Sequence, residues 1–295
     1  MSFPFIHSNC FATVPILTLI FWFTSTGADA KLGEYTVTVL DVGPGSAAVL
    51  QTQNHIMVFD AGAKFSDRFD SGISIVIPYL RSHGVIALDY LIISHGDSDH
   101  IGGAQAISGE YPAVTVIGQD IENLDAGNKQ SCVEGVKWLW DGVTFEFLSP
   151  VESEQLSSLK VKRNNRSCVL HVSSEFGSVL FTGDAEKVVE RRLFNKYAQQ
   201  LDSDVLIVPH RGSNTSSSSD FIDAVNPTIS LFSVGYKNRY KLPSNRVIDR
   251  YVSLNSIILQ TAETGAITVK FTDDNGIQVP KYRESSGKYW NHAIN

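Results

Sequence analysis

The 295-residue sequence has no internal repeat, no low-complexity tract and no Pro/Gly/Ser-rich linker, apart from the short run Ser216–Ser219. Repeat and fibrous architectures are thereby excluded. Positive charge is also scarce. Lys and Arg number 24 against 31 Asp and Glu, a net charge of −7, which excludes a generally basic nucleic-acid binder. A local basic groove, or metal ions that neutralise phosphate, stays compatible with that balance. No apolar run reaches the roughly 20 residues of a full membrane span. The nearest, Phe11 to Thr24, carries no charge, and no Lys or Arg precedes it. Ala28-Asp29-Ala30 then offers a small-residue cleavage site before Lys31, as in a secretory signal, although the basic leading region of a signal is missing. Cysteine is limited to three residues, of which Cys10 lies beside that apolar run.

What remains is ordinary for a folded protein: 43% hydrophobic and 19% charged residues. The economical division is an apolar leader over 1–30, one domain over 31–280 and a tail over 281–295. If the domain is exported, Cys132 and Cys168 are free to pair. Closing a loop of about 36 residues would stabilise by roughly 3–4 kcal/mol in the chain-entropy model, provided the Cα atoms lie within about 7 Å. Two buried free thiols are the alternative.

The chain is organised around His95-Gly96-Asp97-Ser98-Asp99-His100, followed by Ile101-Gly102-Gly103. Leu88–Ser94 before it is a short apolar run that reads as a buried strand, and Ala104–Ile107 after it reads as a short helix. Two imidazoles and two carboxylates thus fall within six residues of a loop at a strand end. Imidazole suits zinc and related metals, and carboxylate also suits manganese, so the set could hold a divalent pair.

This run resembles the signature of the metallo-β-lactamase superfamily, H-x-H-x-D-H, with Asp97 where the second His normally stands. Asp60 in Phe59-Asp60-Ala61-Gly62, Asp184 in Thr182-Gly183-Asp184, and His210 after Val205–Pro209 fall where that family places further site residues. Leu40–Gly45, Asn164–Leu170, Pro209–Ser218 and Asn238–Ser244 are similar to the C-terminal domain of the ComEC family of competence DNA-uptake proteins. The resemblance covers roughly residues 34 to 275. It implies an αββα sandwich, an α/β (α+β) fold of two mixed β-sheets with outer helices and ligands on loops at one edge. It also gives the leader a second reading, the remnant of the last membrane helix before the domain. Both readings place residues 31 onward outside the cytoplasm, at the periplasmic or extracellular face of the membrane.

The resemblance further implies two divalent ions, zinc or manganese, roughly 3.5–4 Å apart, that activate water and stabilise oxygens in a displacement. His95 and Asp97 would face the first ion, Asp99 and His100 the second; Asp184 would bridge them and His210 would complete the second. Asp99 and Asp184 are the candidate catalytic residues. Asp at position 97 hardens the site towards manganese or magnesium. Asp60 is expected to orient the metal loop by hydrogen bonds rather than to bind metal. Two departures stand out. The family's third-motif His has no counterpart before Asp184, where Asn164-Asn165-Arg166-Ser167 stands. Arg211 replaces the second His of a His-His-Gly-Ser motif; if that second His is the family's ligand, His210 is the wrong choice.

Along the chain, Tyr35–Leu40 reads as a strand, and Ala47–Gln51 and His55–Phe59 as a hairpin. Ile73–His83 reads as a helix despite Pro78. Trp138, Trp140 and Val143–Leu148 supply a bulky hydrophobic layer. Cys168–Ser173 and Ser178–Phe181 form a hairpin delivering Asp184, with His171 structural. Thr228–Val234, Ser256–Thr261 and Ala266–Thr272 complete a second set of strands. Lys160, Lys162, Arg163 and Arg166 are either a solvated loop or a phosphate-contacting edge. Ser213 and Asn214 are donors suited to phosphate, or else part of a helix-capping loop. Lys237, Arg239 and Lys241, interleaved with Tyr236 and Tyr240, are expected to contact a nucleic-acid backbone, single-stranded DNA above all.

The function read from these residues is a metal-dependent phosphodiesterase or DNase of DNA uptake, partnered by DNA and the membrane-channel components of a competence system. Two rivals stand beside it: a β-lactam or lactone hydrolase, favoured by a compact apolar pocket, and a non-catalytic DNA-guiding module, favoured by the missing His.

Overall fold

The computed structural model describes residues 30–66, 68–152 and 161–280. The apolar leader, Ala30 excepted, falls outside them, as do Lys160 and the tail. Among the described residues no helix is long and apolar enough to cross a membrane.

Strands with apolar residues on both faces dominate the chain, as expected where both faces of a sheet are covered. The first sheet takes Tyr35–Val39 (β1), Ala48–Gln51 (β2) and Ile56–Phe59 (β3). A separate hairpin, Lys64–Ser66 (β4) with Phe69–Asp70 (β5), interrupts it. Tyr90–Ile93 (β6), Thr115–Gly118 (β7) and Asn128–Gln130 (β8) then extend it in parallel from β3. The second sheet is built from Lys137–Trp140 (β9), Val143–Ser149 (β10), Val169–Ser174 (β11), Gly177–Phe181 (β12), Val205–Ile207 (β13), Ile229–Phe232 (β14) and Ile257–Gln260 (β15). Its order is β15-β14-β13-β12-β11-β10-β9, half parallel and half antiparallel.

The remaining strands, Ile267–Thr272 (β16) and Gly276–Gln278 (β17), correct one expectation. β16 does not complete the second sheet. It pairs antiparallel with β1, and the first sheet runs β17-β16-β1-β2-β3-β6-β7-β8. Alternation along a strand fixes its faces and leaves its neighbour open, so this partner, more than 200 residues away, was not in the pattern.

Period-2 alternation sorts the apolar side chains into layers. Met57, Phe59, Ile92, Val179 and Phe181 point into the space between the sheets, where Phe145, Phe147 and Phe271 join them. The alternate residues Val58, Leu91 and Ile93 meet Val76, Leu80 and Ile107 of the helices outside the first sheet. Leu180 and Leu206 meet Val189, Leu193, Phe221 and Tyr251 outside the second. The result is the four-layer αββα sandwich that the resemblance implied. Truncating a buried phenylalanine of the middle layer, such as Phe181, would cost about 3–5 kcal/mol.

Cys132, just after β8, and Cys168, just before β11, form a disulfide with Cα atoms 6.0 Å apart. It ties the two sheets together beside the loop that follows β6: the Cys168 N–H donates to the Ser94 carbonyl at 2.9 Å.

Candidate metal centre

β3 and β6 are parallel neighbours in one sheet, and β12 and β13 in the other. Their C-terminal ends deliver Asp60, the His95–His100 loop, Asp184 and the Pro209–Gly212 turn to one edge, where α/β sheets usually carry their sites. Close approach of the two sheets needs Gly183. Its φ is +53°, and an added Cβ would lie 2.8 Å from the Ser94 Cβ.

Asp60 is fully buried with φ +61°. Its carboxylate accepts from the Ser94 N–H at 2.7 Å and the Ser94 hydroxyl at 2.9 Å, and from His100 Nδ1 at 2.7 Å. Since the Ser94 hydroxyl spends its proton on Asp60, it accepts from His95 Nδ1 at 3.0 Å. One carboxylate thereby sets both imidazole tautomers, leaving Nε2 of each as a lone-pair donor.

Those two Nε2 atoms and Asp184 Oδ1 are buried without a hydrogen-bond partner. Ligand atoms of His95, His100 and Asp184 lie within 4.8 Å of one another. His100 Nε2 and Asp184 Oδ1 stand 3.1 Å apart as an ion pair, and three convergent donors of this type fit a divalent metal ion. In the metal-free protein these groups also hold one another charged. Burial opposes charge on His100, but the carboxylates of Asp184 and Asp60 on either side outweigh it and hold the imidazole well above its ordinary range. Burial likewise opposes charge on Asp184, yet His100, followed by Arg211 and His95, holds it well below the usual carboxylate range.

The other expected ligands are placed differently. His210 Nε2 stands 3.4 Å from Asp184 Oδ2, at the rim of the cluster. Burial outweighs Asp184 there, and its imidazole lies below its ordinary range. Asp97 faces His95 at 3.5 Å and the Arg163 guanidinium at 3.2 Å. Its pKa falls to about 2, chiefly through the hydrogen bond with His95, opposed by burial. Asp99 turns to Arg211, at 2.5 Å. Arg211 is buried and also reaches to 3.6 Å of Asp184.

A cleft of about 360 Å³ opens over Asp97, Asp99, Asp184, His210 and Arg211, with Ser213 and Tyr240 in its walls. A second lobe of about 690 Å³ shares Asp97, Asp99 and Tyr240 and extends past Lys64, Gln105 and Arg163. A further cavity of about 720 Å³, lined by Lys137, Glu146, His171 and Asp204, holds none of the expected site residues. Lys237, Arg239 and Lys241 lie on the exposed loop that carries Tyr240; the Arg239 guanidinium sits 4.6 Å over the Tyr240 ring. Asn214 accepts from the Ser244 hydroxyl at 2.8 Å.

Several partners were not legible beforehand. Arg166 is neither solvated nor free for phosphate: it is buried against Asp120 at 2.8 Å. Lys162 pairs with Glu186 at 3.1 Å. The buried Glu190 accepts from the N–H groups of Ser217 and Ser218 and from the Ser218 hydroxyl, so these serines serve the fold and not the cleft.

Residues 40–236 match the family model of the metallo-beta-lactamase superfamily. The chain belongs to that superfamily. Membership places it among the superfamily's hydrolases, whose members typically bind divalent metals, and leaves the substrate open. It is 38% identical to the Competence protein ComA of Neisseria gonorrhoeae, over 79% of this chain and 32% of that protein. It is 34% identical to Recombination protein 2 of Haemophilus influenzae, over 88% of this chain and 32% of that one. The chain thus spans about a third of the length of these curated relatives. Among solved structures it superposes on the metallo-beta-lactamase fold protein YhfI of Bacillus subtilis with TM-score 0.51 at 13% identity, over 81% of this chain and 99% of that one. The metallo hydrolase Igni18 of Ignicoccus hospitalis gives TM-score 0.51 at 13% identity, over 79% and 98%. These two likenesses speak for the fold.

Proposed function

We propose that this chain is a metal-dependent phosphodiesterase that cuts DNA, single strands above all, during DNA uptake at the outer face of the cytoplasmic membrane. The observation that carries the reading is the convergence of His95, His100 and Asp184 beside a cleft whose two lobes share Asp97, Asp99 and Tyr240. His95, His100 and Asp184 would hold the ion, with His210 at its rim. A divalent ion there supplies a Lewis acid for a phosphoryl oxygen and acidifies water towards neutral pH. Asp60 orients both imidazoles through Ser94. Asp184 and Asp99 face the reacting centre and are the proposed catalytic carboxylates. Arg163, Ser213 and the basic residues Lys237, Arg239 and Lys241 line or flank the route a phosphate backbone would take, and Tyr240 offers a ring for a base. The family resemblance gives zinc or manganese as the metal.

The names of the relatives, a competence protein and a recombination protein, support DNA as substrate and the channel components of a competence system as partners. A compact apolar pocket would have favoured a β-lactam or lactone. Lys64, Gln105, Arg163 and the carboxylates instead put charged and polar groups among the lining residues.

The full chain, loaded with Mn²⁺ or Zn²⁺, is incubated with labelled single- and double-stranded oligonucleotides, bis(p-nitrophenyl) phosphate, a cephalosporin and a lactone. Cleavage of DNA and of the model diester is expected. A protein that binds metal and cuts neither sinks the nuclease reading, leaving a DNA-guiding module; turnover of the cephalosporin or lactone alone transfers it to small-molecule hydrolysis.

A further inference from the structure

We propose that the Arg211 guanidinium is the second cation of this site. The chain binds one divalent ion, at His95, His100 and Asp184, and Arg211 occupies the place between Asp99 and Asp184 that a second ion would take. The inference rests on the metal-centre reading above and is independent of which substrate is cleaved.

Three observations converge. The first is position. Arg211 Nη2 lies 2.5 Å from Asp99 and 3.6 Å from Asp184, bridging two carboxylates that the family pattern assigns to the second ion. The convergent donor set among the described residues omits Asp99. The second is construction. Pro209–Gly212 is a tight turn in which His210 (φ 49°, ψ 34°) and Arg211 (φ 54°, ψ 28°) are both left-handed. Such a conformation is unfavourable for a non-glycine residue, and two in a row persist only where the surroundings enforce them. The turn brings the imidazole to Asp184 and the guanidinium to Asp99 and Asp184 from consecutive residues.

The third is charge. Asp60, Asp97, Asp99 and Asp184 bring four negative charges to the cluster, and Arg163 and Arg211 bring two positive ones. One divalent ion closes that balance. A second would leave the cluster at plus two and would crowd a buried guanidinium. A fixed guanidinium also suits the chemistry. It presents donors in a planar fork, stays charged at any working pH and matches phosphate oxygens bidentately. Arg211 Nε is itself buried without a hydrogen-bond partner. In this arrangement Arg211 is a positioning residue for Asp99 and an oxyanion donor at the cleft floor.

Metal content decides the matter without any activity measurement. Full-length protein is stripped with chelator and equilibrated with excess Mn²⁺ or Zn²⁺. Ions per chain are counted by inductively coupled plasma mass spectrometry and by native mass spectrometry, with circular dichroism as the folding control. Wild type is expected to hold one ion. Asp99→Asn also keeps one, because Asp99 serves the guanidinium and not the metal. Asp184→Asn loses the ion, and Arg211→His gains a second. Two ions in wild type, or loss of an ion in folded Asp99→Asn, overturns the inference. A wild type holding none overturns the metal-centre reading beneath it.

Discussion

Reduction of the Cys132–Cys168 disulfide tests how the two sheets are held together beside the metal loop. Both cysteines are fully buried, and the bond spans 36 residues of sequence. In the chain-entropy model, closing a loop of that length removes enough freedom from the unfolded chain to stabilise the fold by about 4 kcal/mol. For a domain of this size each kcal/mol moves the midpoint by roughly 2–4 °C, so reduction lowers Tm by roughly 8–16 °C. The assay is scanning calorimetry of the oxidised full chain against the same protein held in reductant, with thiol alkylation and mass spectrometry to confirm that the bond is open. The double variant Cys132→Ala/Cys168→Ala, melted without reductant, excludes an effect of the reagent. A local consequence follows as well. The Cys168 backbone donates to Ser94, the residue that links Asp60 to His95, so the reduced protein binds metal less tightly. If fully reduced protein melts within about 2 °C of the oxidised form, the loop-closure argument fails for this chain.

Asp60→Asn keeps the size of the side chain but removes the charge that fixes both imidazoles, and metal affinity is expected to fall about 10–100-fold by calorimetric titration; an unchanged affinity would return Asp60 to the ordinary core. Replacing Lys237, Arg239 and Lys241 together by Ala should reduce the slope of log K against log salt for single-stranded DNA by about 2, at roughly 0.7 per lost phosphate contact. A slope that stays put would mark the loop as ordinary surface. For metal-free protein, Asp97 has a folded pKa of about 2 against an ordinary 3.8. Its stabilising contribution is therefore complete above the ordinary value and is lost as pH falls from about 3.8 towards 2. Asp97→Asn should flatten the fall in Tm over that window, and a variant with the same acid profile as wild type contradicts the pairing with His95 and Arg163. His171→Gln, on β11 away from the cleft, should leave cleavage rates near wild type; a large loss with the fold intact would put His171 into the machinery.

The sequence was most informative where chemistry is concentrated in few residues. His95–His100 sits on one loop, and Asp60 and Asp184 each follow an apolar strand. The strands' apolar faces made the layers legible too. What was not legible depends on contacts between distant segments. β16 could have joined either sheet, since its alternation suits both, and only the packing places it against β1. Arg211 read as a departure from a motif because nothing in a sequence shows two consecutive left-handed residues or the carboxylates they face. Nor does the sequence show that Ser217 and Ser218 are held by Glu190, from a helix 27 residues upstream of Ser217. The ambiguity of Arg166, solvated loop or phosphate edge, is resolved by Asp120 at a separation of 46 residues.

The central claim is that a divalent ion held by His95, His100 and Asp184 enables phosphodiester cleavage in the cleft above it. Its most direct test is cleavage of a fluorescent single-stranded oligonucleotide by the full chain in three states: chelator-stripped, reloaded with Mn²⁺ or Zn²⁺, and reloaded as Asp184→Asn. Metal content is measured on the same samples. The account predicts that cleavage appears only in the reloaded wild type and rises in proportion to bound metal, while folded Asp184→Asn stays at the stripped background. Cleavage that persists in stripped protein, or that survives Asp184→Asn undiminished, would contradict it.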